Sequence, residues 1–200
     1  MTKPPTNLDD NRLTVTLLAA ERAAKWHSKD RHKGANREPY VNHLIEVAHL
    51  VTEATGGSDG ILTSAAFLHD AVEKAGVQPS QIRNEFGDAI FELVMEVTDD
   101  QSISKEERRR RQIDTASEKS MRAKLLKLAD LTSNLRALAE YDSSGRETEN
   151  PFDYAIAAEK VASGLRGVSP WLEEQFEHAL SAVLARARQL PGKQETPVVR

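Results

Sequence analysis

His43, the adjacent pair His69-Asp70, and Asp130 are the side chains through which this sequence is equipped to do chemistry. Two imidazoles and two carboxylates form a mixed nitrogen and oxygen donor set, suited to a divalent transition ion with positions left open for water and substrate. With both histidines neutral, the carboxylates balance the ion's charge, a hardness that suits manganese or iron and also admits zinc. Glu73 follows His69 by four residues and Asp70 by three, so on a helix its carboxylate projects beside the same face. That is where a base belongs that acts on a water whose pKa the ion has lowered. Each residue also has a plain structural reading. His43 could be a helix cap or a packed surface histidine, and Asp130 could be a charge paired with Lys127 three residues earlier. The His69-Asp70 pair weighs more, because two polar groups entering a core without partners are costly.

The elements that must position these groups read as helices throughout, with no sustained period-two alternation. Leu13, Leu17, Ala20 and Ala24 recur at helical spacing in the first segment, followed by a basic loop, Asp30 to Glu38, closed by Pro39. Asn42 is the expected N-cap of a second helix ending at Gly56-Gly57, and Ser58 or Asp59 that of a third. The third is expected to run from Ile61 through His69-Asp70 to Lys74, with Gly76 as its stop. Pro79 and Gly87 frame a short helix, and Asp88 then caps Ala89 to Val97. Ser104 with Glu107 is a capping-box signature for a helix carrying Arg108 to Arg111, read as a solvated face with ion pairs to Glu106 and Glu107. From Ser120 to Glu140 runs the longest regular helix, with Leu125, Leu128, Leu135 and Leu138 toward the core and Lys127, Asp130 and Asn134 sharing another face. Asn150-Pro151 and Ser169-Pro170 open the last two helices, with a polar loop from Tyr141 to Asn150 before them.

Composition narrows the classes that remain. The 200 residues contain no cysteine, which excludes disulfides, a zinc-thiolate site and a catalytic thiol. Any metal must be held by nitrogen and oxygen ligands. Lys plus Arg total 27 against 31 Asp plus Glu, a net charge of −4 that disfavours a nucleic-acid partner. No apolar run approaches the ~20 residues that span a bilayer, so no membrane partner is expected and the protein reads as cytoplasmic. A chain of this length buries roughly 70% of the surface its unfolded form exposes, enough for one domain. We read residues 11–188 as that domain and residues 1–10 and 189–200 as disordered tails.

Five motifs in order, Arg31-His32-Lys33, Pro39-Tyr40-Val41-Asn42-His43, Ala65 to Glu73, Glu96 to Asp100 and Lys127 to Arg136, resemble those of HD-domain guanosine polyphosphate hydrolases. The similarity is greatest to small stand-alone alarmone hydrolases and to the hydrolase domain of RelA/SpoT proteins, and it covers roughly residues 12–185. It implies an all-α HD-domain fold, a single domain with its metal site between helices. It implies His43, His69, Asp70 and Asp130 as ligands of manganese, Glu73 as a catalytic acid, and Asn134 near ribose and phosphate. By the same likeness Tyr154 contacts substrate, Lys33 holds nucleotide, and His32 stands where an arginine commonly packs on guanine, with Arg31 beside them in the basic loop. The pattern usually reads His-Asp-x-x-Glu-Asp, whereas Lys74 occupies the second acid's place here.

The activity implied is hydrolysis of ppGpp or pppGpp to GDP or GTP plus pyrophosphate. Lys74, counted with Glu73 and Asn134 in the catalytic group, either points to solvent or grips the substrate's pyrophosphate. Two rival functions follow from that departure: an HD phosphohydrolase acting on another nucleotide, such as the 2′-phosphate of NADPH, or a catalytically impaired alarmone-binding module. Monomer and homodimer are equally compatible with the sequence.

Overall fold

The computed structural model describes residues 8–32, 38–140 and 150–189. The expected tails fall mostly outside these residues, as do Lys33 and most of the 141–150 loop. Within them the chain is all-α, with one isolated antiparallel bridge between Arg31 and Pro39. In chain order the helices are α1 (Leu8–Trp26), α2 (Val41–Ala54), α3 (Gly60–Leu68), α4 (Pro79–Phe86), α5 (Asp88–Val97), α6 (Lys105–Thr115), α7 (Met121–Glu140), α8 (Pro151–Ser163) and α9 (Pro170–Gln189). A short 3-10 turn, Ala116–Glu118, precedes α7.

The caps follow their chemistry. Asp59 accepts the Leu62 N–H at 3.1 Å at the start of α3, Ser104 accepts that of Glu107 at 3.2 Å before α6, and Asn150 accepts that of Phe152 at 3.0 Å before α8. Glu107 does not complete a capping box: its carboxylate takes the guanidinium groups of Arg110 and Arg111 instead. The Arg108 side chain folds onto the Ile103 carbonyl.

Three local expectations are corrected, and the buried face of the first helix is added to them. Helix α2 begins at Val41 with Tyr40 as its cap, and the Asn42 amide donates outward to Glu38 at 2.9 Å. Likewise α5 takes Gly87 as its cap, with Asp88 already in the first turn. In α1, Leu13 and Leu17 are 68% and 62% exposed, while Ala19 and Ala23 are fully buried. The helix approaches α3 through its small side chains, and a hydroxyl pair, Thr16 with Ser64 at 3.0 Å, spans the seam. Finally, α3 stops at Leu68 and His69 to Ala75 form a run of turns. There the Ala71 N–H reaches the Leu68 carbonyl three residues back, and the Val77 N–H reaches Ala71, six back, across Gly76 at φ 67°. A left-handed residue is needed to close that turn, which is why glycine stands there.

Helix α7 runs through the middle, packed against α2, α5, α8 and α9, while α1 and α2 cover α3. Leu126, Leu128 and Leu135 of α7 meet Leu172 and Phe176 of α9 in one apolar core. Burying each such side chain contributes about 1.5–3 kcal/mol. Because α7 is surrounded, Asp130, Thr132 and Ser133 are buried with it. Each needs a partner: Thr132 donates to the Leu128 carbonyl of its own helix at 2.7 Å, and the partners of Asp130 and Ser133 lie in the site.

Candidate metal centre

Each histidine is oriented by its Nδ1. In His69, Nδ1 lies 2.7 Å from the Ala66 carbonyl, which only accepts, so Nδ1 carries the proton. In His43, Nδ1 lies 2.9 Å from Ser133 Oγ. Both rings thus turn Nε2 inward. The inner nitrogens have no aligned hydrogen-bond partner although both side chains are buried. Asp70 Oδ2 is 3.1 Å from His69 Nε2 and 3.8 Å from His43 Nε2. Asp130 Oδ1 is 3.7 Å and 3.4 Å from the same two atoms. Ligand atoms of His43, His69 and Asp130 fall within 4.8 Å of one another. Two orphaned, buried imidazole nitrogens facing two carboxylates are what a divalent ion requires, so the residues fit one.

The electrostatics run the same way. Burial opposes a charge on His69, yet Asp70 and Asp130 push its pKa up to about 10. The carboxylates that draw a proton to this nitrogen draw any other cation to the same spot. Burial also works against both carboxylates. Nevertheless His69 and Lys74 hold Asp70 well below the usual range, and Lys127 with the two histidines does so for Asp130. Lys127, three residues before Asp130, sits 3.3 Å from its Oδ2 and is nearly buried. The ion-pair reading of Asp130 and the ligand reading therefore coexist, Oδ2 facing Lys127 and Oδ1 facing the histidines.

Glu73 is held beside this cluster. The Asp99 N–H donates to its Oε1, and the Gln101 side chain donates to Oε2 at 3.1 Å. Burial pushes its carboxyl up, partly offset by the Asp99 N–H and reinforced by the charges of Asp99 and Asp70, to about 7. A carboxyl poised there can exchange a proton near neutral pH.

Lys74 does not simply point to solvent, although 40% of its side chain is exposed. Its ammonium turns back onto Asp70 Oδ2 at 2.8 Å and onto the Tyr40 hydroxyl, which itself donates to the same oxygen at 2.5 Å. Asp70 is thus clamped at Oδ2, the same oxygen that faces the two histidines. Tyr40 was not singled out from the sequence. Its place directly before α2, three residues from His43, was the available signal.

The remaining predicted residues divide. The His32 ring stacks on His43 with centroids 4.9 Å apart and planes at 17°. Burial and the neighbouring His43 push its pKa down to about 4, so the ring is neutral. Asn134 donates to the Asp130 carbonyl at 2.9 Å and to Oδ1 at 2.6 Å. Tyr154 of α8 senses the charges of Asp130 and Asp70, and burial keeps its phenol protonated. Arg31 is not brought in: its guanidinium bonds the Ser28 and Asp30 carbonyls at 3.2 and 2.8 Å. Beside the ring pair opens a cavity of about 350 Å³, lined by His32, Asn42, His43, Ser133, Arg136 and Ala137 among others.

Known proteins share this frame. A model of the HD domain matches residues 19–152. The human guanosine-3′,5′-bis(diphosphate) 3′-pyrophosphohydrolase MESH1 is 39% identical over 162 residues, 81% of this chain and 90% of that protein. Its Drosophila melanogaster counterpart is 42% identical over 156 residues, 78% of this chain and 87% of that one. A solved structure described as a metazoan ortholog of SpoT that hydrolyses ppGpp superposes with a TM-score of 0.77 at 34% identity, over 95% of this chain and 100% of that one. With its fold and most of its length in common with these proteins, the chain belongs to the HD-domain family of guanosine-3′,5′-bis(diphosphate) 3′-pyrophosphohydrolases.

Proposed function

We propose that this protein hydrolyses ppGpp and pppGpp at the 3′ position, giving GDP or GTP and pyrophosphate. The observation that carries the proposal is the pair of unpartnered, buried Nε2 atoms of His43 and His69 facing Asp70 and Asp130, with a carboxyl of near-neutral pKa, Glu73, held alongside. His43, His69, Asp70 and Asp130 would hold the divalent ion, which we take to be manganese. The chemistry such an ion supplies there is acidification of water and neutralisation of phosphate charge.

The side chains do the rest. Glu73, in its ionised form, accepts a proton from the water that attacks the phosphorus bonded to the ribose 3′ oxygen. The bond between that phosphorus and the 3′ oxygen breaks, and the 3′ oxygen leaves with a proton as the ribose hydroxyl. Lys127 keeps its charge, raised by Asp130 against burial, and offsets the ligand carboxylates as negative charge accumulates. Asn134 and the protonated phenol of Tyr154 are suited to hydrogen-bond the ribose and its phosphates, while Lys33 supplies cationic charge. The neutral His32 ring offers the base a stacking surface beside the cavity. We take the enzyme to be cytoplasmic; among the described residues no helix is long and apolar enough to cross a membrane.

The clamp of Lys74 on Asp70 favours a second reading, a domain that binds the nucleotide with little turnover. One assay separates the two. Purified protein is incubated with ppGpp and manganese, beside an Asp130→Ala control and a parallel sample with NADPH. GDP and pyrophosphate from wild type alone support the hydrolase. Intact, tightly bound ppGpp after long incubation establishes the binding module, and NADPH turnover without ppGpp cleavage reassigns the substrate.

A further inference from the structure

Behind His43, away from the carboxylates, a line of polar contacts crosses three helices. Ser133 Oγ lies 2.9 Å from His43 Nδ1 and donates to Glu46 Oε2 at 2.6 Å. Arg136 donates through Nη1 to Glu46 Oε1 at 2.8 Å and through Nη2 to Gln175 Oε1 at 2.7 Å. Ser133 is 1% exposed, whereas Glu46 and Arg136 are half-buried. Glu46 lies on α2, Ser133 and Arg136 on α7, and Gln175 on α9.

The logic is one of proton counting. A serine hydroxyl has a single proton and can donate or accept, so alone it would leave both neutral tautomers of His43 open. A carboxylate has no proton to give. Glu46 therefore commits the Ser133 proton to itself, and the only bond left between Ser133 and His43 is one in which Nδ1–H donates. The lone pair is then forced onto Nε2, the buried nitrogen that faces Asp70 and Asp130. Arg136, anchored by Gln175, holds Glu46 in the geometry that makes this selection.

We propose that Ser133 and Glu46 are positioning residues that lock His43 in its Nδ1–H tautomer, and so set the affinity of the centre for its divalent ion. This rests on the ligand role of His43 proposed above. Ser133 and Glu46 come from segments 87 residues apart, and they join only through the packing of α2 on α7. The relay and the Lys74 clamp act on different atoms: the first frees a nitrogen donor on His43, and the second engages an oxygen donor on Asp70.

The test uses the metal-free protein first. The imidazole ¹⁵N shifts of His43, recorded where the ring is neutral, report the tautomer directly, and manganese titration by calorimetry then reports affinity. The variants are Ser133→Ala, Ser133→Thr, which keeps the hydroxyl, and Glu46→Gln, whose amide can donate to Ser133 and release the lock. Glu46 is only half-buried, so Glu46→Gln remains informative should Ser133→Ala fail to fold. The expected result is a single Nδ1–H tautomer in wild type and Ser133→Thr, mixed tautomers in the other two, and manganese affinity weakened about 10- to 100-fold in those two. Wild-type tautomer and affinity in both Ser133→Ala and Glu46→Gln would overturn the relay. A wild-type protein with a locked tautomer but no manganese binding would instead overturn the metal reading on which the relay rests.

Discussion

Replacing Lys74 with methionine removes one charge from beside a proposed metal ligand and little else, because Met retains most of the side chain's length. The ammonium stands 2.8 Å from Asp70 Oδ2, with 40% of the lysine side chain exposed. At that separation two unit charges attract by about 6 kcal/mol at an effective dielectric of ~20 and by about 1.5 kcal/mol in bulk water. The lysine's exposure puts the pair near the aqueous limit. An ion bound to Asp70 shares its carboxylate with this ammonium, so removing the ammonium returns about 1–2 kcal/mol to ion binding. Since about 1.4 kcal/mol is tenfold in an equilibrium constant, Lys74→Met should tighten manganese binding by roughly tenfold. Tyr40 still donates to Asp70 in the variant, which keeps the carboxylate oriented. Calorimetric titration of both proteins in the same low-salt buffer measures the difference, and Lys74→Asp, restoring the family's acid, should move affinity further in the same direction. Unchanged or weaker manganese binding by a folded Lys74→Met protein would refute the claim that the clamp competes with the metal.

Two further outcomes follow from the geometry. Burial holds the Glu73 carboxyl at about 7, and below its pKa it carries a proton and cannot accept another, so kcat/KM should rise with pH through that region and level off above it, a bound cation shifting the limb to lower pH. Glu73→Gln should abolish the limb and lower the rate by about 10²- to 10⁴-fold; a wild-type profile flat across the range would contradict the assignment of Glu73 as base. Gly164 closes α8 against the 3-10 turn, where an added Cβ would lie 2.7 Å from Ala116 Cβ and 3.0 Å from the Ser117 nitrogen. Ala116 is fully buried and cannot give way, so Gly164→Ala should cost about 1–3 kcal/mol in chemical denaturation, and an unchanged midpoint would show the approach to be looser.

The donor set and its helices were legible because the relevant signals are local. Caps such as Asp59, Ser104 and Asn150 act within two or three residues, and the shared face of Lys127, Asp130 and Asn134 is a matter of helical period. What escaped is set by packing between distant segments. Nothing near Leu13 and Leu17 in sequence tells that α1 will meet α3 through alanines instead. An apolar run followed by polar residues does not reveal that α3 ends at Leu68, because turns with three-residue hydrogen bonds keep nearly the same spacing. The Tyr40 contact with Asp70 spans 30 residues, and the Glu46 contact with Ser133 spans 87, distances at which periodicity carries no information. Lys74 was visible as a departure from the family's pattern, but the direction its side chain takes depends on Tyr40 arriving from another element.

The most direct test of the account is isotopic. Manganese-loaded protein is given ppGpp in ¹⁸O-enriched water, and the products are separated and weighed by mass spectrometry, with metal content measured on the same preparation. Attack on the phosphorus bonded to the 3′ oxygen predicts one ¹⁸O atom in pyrophosphate and none in GDP, with turnover tracking bound metal. Label in GDP, or no pyrophosphate from a fully metallated protein, would contradict it.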